Sequence, residues 1–270
     1  MNENNIIKIN GCAISTEVLM TDQILLQTAD QKKQLRTAIE ELHLSAFPKL
    51  PEYTRQIYID DYFTTGSGSF RRQAIFFKNE SGRLIAANIC NCGKFEYEVK
   101  IISGIYLISS AVLPEYQSYG IGQYIGVKLL ELQPDVLFTT STQSSALHSR
   151  VKLVEKGLVS GYDVYPKLMK KDGEEILVTV PYKDLDFAIN SFRQTYAGLV
   201  DGDWEKVHEA VRNLTVLMVR KNLQEEIQDF NPWEKNGRED RLAKALGVNP
   251  KDAVLVMFKK NKAAIPNQMK

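Results

Sequence analysis

Residues Val112–Gly126 read VLPEYQSYGIGQYIG, and what stands on either side of them decides the fold. Upstream, Ile101–Val112 (IISGIYLISSAV) is long, apolar and rich in β-branched residues, the composition of a buried strand. Downstream, Ile121, Ile125 and Leu129 recur at four-residue spacing and predict a helix over Gly122–Leu132. The quoted stretch is therefore a strand–loop–helix junction with Gly120 and Gly122 at its tip. The first backbone N–H groups of a helix have no internal acceptor and carry part of the positive end of the helix dipole. Glycines remove the Cβ atoms that would hold a phosphate away. Together these features make a site for a phosphate or pyrophosphate.

Working outward, Gln73–Lys78 and Leu84–Cys92 read as strands joined by the turn Asn79–Gly82, with a further turn at Gly93–Lys94 before the long strand. Short turns between three successive strands require antiparallel pairing. Asp135–Thr140 is a fourth strand, and a right-handed crossover lays it parallel to the long one. Ser144–Lys156 is a helix stopped by Gly157. Towards the N-terminus, Ile6–Ile9 reads as a short strand. Asp30 reads as the cap of a helix to Phe47, with Leu35, Ile39, Leu42 and Ala46 on one face, and a shorter helix covers Tyr53–Phe63. Beyond Gly161, Glu175–Pro181 reads as a strand. Two amphipathic helices follow, carried by Leu185–Tyr196 and Trp204–Met218, then a helix at Glu239–Leu246 before Gly247 and a returning strand at Ala253–Phe258.

Two nucleotide-binding readings of the glycine loop fail on spacing. In a dinucleotide fingerprint Ile125 would hold the third glycine's place, and eight residues separate Val112 from Gly120. In a Walker loop Gln123–Tyr124 stands where Lys and Ser or Thr belong. The segment instead resembles the acyl-coenzyme A loop of the GCN5-related N-acetyltransferases (GNAT superfamily). Their pattern of Gln or Arg, two residues, Gly, any residue, then Gly or Ala stands here as Gln117-Ser118-Tyr119-Gly120-Ile121-Gly122, after a Val-x-Pro-Glu-Tyr lead-in. The resemblance covers roughly Arg71–Gly161, about a third of the chain.

The resemblance implies an α/β (α+β) fold: a mixed, mostly antiparallel sheet with helices on both faces. Together with the elements read along the chain, this gives one domain over residues 1–270, with a core near 71–161, N-terminal helices near 30–63, a helical insertion near 182–249 and a returning strand near 253–259. The resemblance further implies transfer of an acetyl group from acetyl-CoA, as cosubstrate, to an amine-bearing acceptor, a small molecule or a peptide. The backbone amides of Ser118, Tyr119, Gly120, Ile121 and Gly122 would hold the pyrophosphate, with Gln117 in support. Ala111, Val112 and Leu113 would bond the pantetheine as an added strand does, and Ser144 and Ser145 would touch its far end.

The chain departs from the family where protons move. Many members carry a glutamate base on the long strand, but Ile101–Val112 offers Ser103, Tyr106, Ser109 and Ser110 and no acid. Glu96 and Glu98 stand just before it. Many members carry a tyrosine acid four residues before the helix-ending glycine; that place is Leu153. Tyr165 lies nearby in sequence and His148 lies on the same helix, where a histidine suits proton transfer near neutrality. A non-catalytic acyl-CoA-binding or regulatory protein of the same fold is the alternative.

Composition bounds the rest. Lys plus Arg number 34 against 33 Asp plus Glu, so no long-range field draws the chain to nucleic acid or an anionic membrane. No run reaches the ~18 apolar residues of a spanning helix, and no leader is visible, which makes a cytoplasmic setting the expectation. Three cysteines make a disulfide framework an unfavourable reading. Cys90 and Cys92, on one face of a strand, read as small core residues, with a two-ligand metal half-site as the sharper reading; no metal is expected. A homodimer is the one assembly left open.

Overall fold

The computed structural model describes residues 5–9, 11–48, 50, 52–66, 70–97, 100–141, 144–180, 234–235, 238–239, 241–248 and 254–261. The amphipathic helices expected at Leu185–Tyr196 and Trp204–Met218, and with them most of the insertion, lie outside the described residues. The chain divides into two compact units, Met1–Phe95 with Leu107–Ile125, and Glu96–Tyr106 with Gly126–Lys270.

The first unit is built on strands β1 (Asn5–Ile9), β2 (Cys12–Met20), β3 (Phe70–Lys78) and β4 (Leu84–Tyr97), and the second half of β5 (Lys100–Val112), side by side in that order. β1–β2, β2–β3 and β3–β4 pair antiparallel. The Leu113 N–H donates to the Ile85 carbonyl at 2.9 Å, setting the end of β5 against the start of β4 in the same sense. Helices α1 (Thr21–Leu25), α2 (Ala29–Ala46) and α3 (Glu52–Asp60) and a 3-10 turn, Asp61–Phe63, join β2 to β3. The cap of α2 is Thr28, not Asp30. Its hydroxyl accepts from the Gln31 N–H while Gln31 Oε1 accepts from the Thr28 N–H, a reciprocal capping box that Asp30 has no partner to form.

Helices cover both faces of this sheet. Neighbouring residues of a strand point to opposite faces. Phe76 lies 5.9 Å from Tyr62, ring centre to ring centre, and Phe77 lies 6.1 Å from Tyr124 on helix α4 (Ile121–Glu131). Burial on both sides explains why Ala74–Phe77 and Leu84–Asn91 are unbroken buried runs rather than alternating ones. The turn expected at Gly93–Lys94 does not form. Both residues continue β4, Gly93 pairing with Phe70, so β3 also starts three residues earlier than its apolar stretch.

In the second unit the first half of β5 lies beside β6 (Val136–Ser141). The Asp135 N–H donates to the Ser103 carbonyl at 2.9 Å and the Asp135 carboxylate accepts from the Ser103 N–H at 2.7 Å. Both contacts sit at the starts of their strands, so the two run parallel, as the α4 crossover requires. Next come helix α5 (Ser144–Glu155) and strands β7 (Tyr162–Tyr165), β8 (Lys167–Lys171) and β9 (Glu174–Val178). The short pair β10 (Glu234–Lys235) and β11 (Arg238–Glu239), helix α6 (Arg241–Leu246) and β12 (Val254–Lys260) complete the described chain. β12 inserts between β6 and β7, antiparallel to both. Among the described residues no helix is long and apolar enough to cross a membrane. The sheet strands are thus mostly antiparallel with one parallel pairing, and the fold is mixed α/β.

Candidate functional site

The first unit holds the strand end, the loop and the first turn of α4. Ala111 and Leu113 are buried and fix the strand end in the core. Backbone groups of successive residues in a strand leave by alternate edges. The Leu113 N–H is spent on Ile85, so the groups of Val112 point from the other edge. There the Gln117 side chain donates from Nε2 to the Val112 carbonyl at 3.1 Å. Gln117 therefore ties the loop back to the strand, instead of extending from the loop as a free amide.

The loop itself is a 3-10 turn, Pro114–Tyr119, opened by a proline whose missing N–H costs nothing at that position. It is fastened at three further points. The Tyr116 N–H donates to the Leu113 carbonyl at 2.8 Å, Arg83 Nη1 reaches Glu115 at 3.3 Å, and Asn79 Nδ2 reaches the Tyr116 hydroxyl at 3.4 Å. The rings of Tyr116 and Tyr119 pack 5.4 Å apart. The β3–β4 turn thus holds the loop from outside while Gln117 holds it from within.

At the junction Gly120 has φ +82° and ψ 9°, the left-handed region, which lets the 3-10 turn hand over to α4 without a break. Its carbonyl accepts from the N–H groups of both Gln123 and Tyr124, each at 3.0 Å. Ile121 and Gly122 stand in the first turn of α4, where helix N–H groups lack an acceptor within the helix. A Cβ placed at Gly122 would meet no described atom within 4 Å, and Gly122 has an ordinary helical φ. Neither backbone conformation nor packing among the described residues calls for glycine there. First-turn amides beside a glycine with open space, at the positive end of an 11-residue helix, are an arrangement that can serve as an anion cradle.

One neighbour of this strand end escaped the sequence reading. Asn88 is fully buried, and its Nδ2 donates to the Ser109 carbonyl at 3.1 Å and to Ser110 Oγ at 2.9 Å. Its Oδ1 is buried with no hydrogen-bond partner among the described residues. The only hint in the sequence is an asparagine inside the apolar run LIAANIC.

The remaining candidates fall elsewhere. Ser144, Ser145 and His148 are on α5 and Tyr165 is in β7, all in the second unit. Ser145 is exposed, and the Tyr165 ring lies 5.4 Å from Lys167 Nζ. Glu96 belongs to β4, on the second-unit side of the division, and Glu98 lies outside the described residues. Leu153, at the place of the family's tyrosine, is fully buried against Gly126. Among the described residues no group of three or more His, Cys, Asp or Glu side chains gathers as a metal site would.

No protein-family model matches the chain, and no curated protein does. Solved structures do resemble it. One is a histone acetyltransferase HPA2 and related acetyltransferase from Corynebacterium glutamicum, 12% identical, covering 59% of this chain and 92% of its own, with a TM-score of 0.36. Another is an acetyltransferase of the GNAT family from Listeria monocytogenes, 12% identical, covering 64% of this chain and all of its own (100%), with a TM-score of 0.35. A third is the aminoglycoside 6'-N-acetyltransferase from Acinetobacter baumannii, 14% identical, covering 44% of this chain and 71% of its own, with a TM-score of 0.27. These solved structures are acetyltransferases, matched over 44% to 64% of this chain at 12% to 14% identity.

Proposed function

We propose that this chain is an N-acetyltransferase of the GNAT type, one domain in organisation, which binds acetyl-CoA and transfers its acetyl group to an amine. The observation that carries the reading is the glycine-lined start of α4 at Gly120–Gly122, set at the end of a strand whose last residue, Val112, has its carbonyl held by Gln117 and its N–H on the same outer edge. In this reading the amides of Ser118–Gly122 hold the pyrophosphate. Ala111–Leu113 bind the pantetheine, Ser144 and Ser145 touch its far end, and Gln117 keeps loop and strand in register. The amine attacks the thioester carbonyl directly, the carbonyl oxygen takes up negative charge, and the thiolate of CoA leaves. In this reading the Val112 N–H stabilises that oxygen, a contribution of roughly 3 kcal/mol at other acyl-transfer sites. Glu96, Glu98, His148 and Tyr165 are the candidates for proton transfer. The chain acts in the cytoplasm, with no nucleic acid or membrane as partner.

A second reading, a non-catalytic acyl-CoA-binding or regulatory protein, is favoured by one specific observation. β5 carries no acid, and the place of the usual tyrosine is the buried Leu153. Calorimetric titration with acetyl-CoA, NADPH and ATP tests the ligand: acetyl-CoA alone should bind. Release of free CoA with a panel of polyamines, aminoglycosides, amino acids and peptides then tests transfer. Binding without thiol release beyond background for any amine would favour the second reading, and no binding of acetyl-CoA would end both.

A further inference from the structure

Two thiols in the first unit are used by nothing described so far. Cys90 and Cys92 are two apart in β4 and project from one face of it. Cys90 is fully buried and Cys92 is partly exposed. Their Sγ atoms are 3.7 Å apart. Gln73, the register partner of Cys90 on β3, lies beside them, its carbonyl 3.6 Å from Cys90 Sγ and its Oε1 3.5 Å from Cys92 Sγ.

That separation discriminates between the two reactions open to a thiol pair. A disulfide needs the sulfurs at about 2.05 Å and Cα atoms ~4.4–6.8 Å apart. Residues two apart in an extended strand have Cα atoms about 6.6–6.8 Å apart, at the far limit of that range, so closure would bend β4. A tetrahedral ion with metal–sulfur bonds of about 2.3 Å holds its two sulfurs about 3.8 Å apart, which these thiols meet with almost no movement. Gln73 Oε1 stands on the same face as a third, oxygen donor, and the partial exposure of Cys92 leaves a way in.

We propose that Cys90 and Cys92 chelate a thiophilic d10 cation of the zinc and cadmium class, with the Gln73 carboxamide oxygen as the third ligand. Binding replaces two S–H bonds by two metal–sulfur bonds and releases two protons. Partly exposed Cys92 is the thiol the ion meets first, and buried Cys90 closes the chelate behind it.

The reduced full chain is titrated with cadmium chloride and followed by the ultraviolet thiolate-to-cadmium charge-transfer band and by intact mass under native conditions. One cadmium per chain with a two-thiolate band is expected, and cadmium should displace zinc bound beforehand. Cys92→Ser and Cys90→Ala should each abolish the two-thiolate band, Cys12→Ser should leave it unchanged, and Gln73→Ala should weaken binding roughly tenfold. Circular dichroism checks that the Cys90 variant folds, and partly exposed Cys92 supplies an independent variant outside the deep core. A wild-type chain that takes up no cadmium, or that binds it equally well as Cys92→Ser, overturns the assignment.

Discussion

At the residue scale, glycines in one helix report on different neighbours. Gly122 faces open space and adopts an ordinary helical backbone. Gly122→Ala should therefore stabilise the fold by up to about 1 kcal/mol through helix propensity while weakening acetyl-CoA binding, because the new methyl occupies the cradle. Thermal melting and calorimetry on one sample check both signs; a variant that binds as tightly as wild type would remove the cradle from the argument. Gly120→Asp is the harsher test. At φ +82° it adds backbone strain of roughly 1–2 kcal/mol and sets a carboxylate against the anion. It should retain the fold and lose binding.

Titration at the residue scale gives a second test. His43 is fully buried with neither ring nitrogen hydrogen-bonded among the described residues, and burial, aided by Arg55, lowers it to about 4. In the unfolded chain it titrates near 6.5, so its contribution is complete above that pH and is lost as pH falls towards 4. Asp61 works in the opposite direction. Burial, only partly offset by Arg72 at 2.7 Å, raises it to about 6 from 3.8. Its contribution is complete at low pH and is lost as pH rises through 6. The two slopes cancel between about pH 4 and 6. Asp61→Asn should expose the histidine slope, a loss of roughly 3 kcal/mol relative to pH 7 on reaching pH 4. His43→Leu should expose the reverse, stability falling as pH rises from 4 to 6. Denaturant melts across this range check it, and parallel curves for both variants and wild type would refute the pairing.

At the element scale, Thr28→Ala should cost about 1 kcal/mol by removing the hydroxyl that caps α2, with loss of activity only through lost fold. Gly126→Ala is the counterpart of Gly122→Ala in the same helix. Its Cβ would run into Leu153 Cδ1 on α5, so overpacking of about 1–3 kcal/mol should outweigh the gain in propensity. Adding Leu153→Val should recover much of the loss in thermal melts. The elements also show where sequence was legible. Four-residue periodicity located α4 because Ile121, Ile125 and Leu129 are all fully buried. β2 went unread because CAISTEVLM mixes polar and apolar residues without a turn signal before the helix that follows. β8 went unread although Asp172-Gly173 follows it. Both residues have positive φ, 52° and 86°, the two-residue hairpin turn that this dipeptide favours. Within the site, the glycine loop was legible because backbone chemistry repeats in sequence. The grip of Gln117 on Val112, and Asn88 beneath Ser110, depend on tertiary neighbours that no local pattern encodes.

At the scale of the whole molecule, the division into two units has a consequence for how binding is felt. The chain crosses between them at Phe95/Glu96, Tyr106/Leu107 and Ile125/Gly126, and each crossing falls inside a regular element: β4, β5 and α4. Neither unit can unfold without cutting an ordered strand or helix that continues into the other, so thermal unfolding of the described core should be a single cooperative transition. Acetyl-CoA held by the native cradle stabilises only the folded state, by about 2.7 kcal/mol at a free concentration a hundred times its dissociation constant. The whole transition should therefore move upward together, including its second-unit part, although the proposed pyrophosphate site lies entirely within the first. Calorimetric scans with and without ligand, paired with proteolysis to follow each unit, decide the matter. Two transitions, of which acetyl-CoA shifts only one, would show that β4, β5 and α4 do not couple the units.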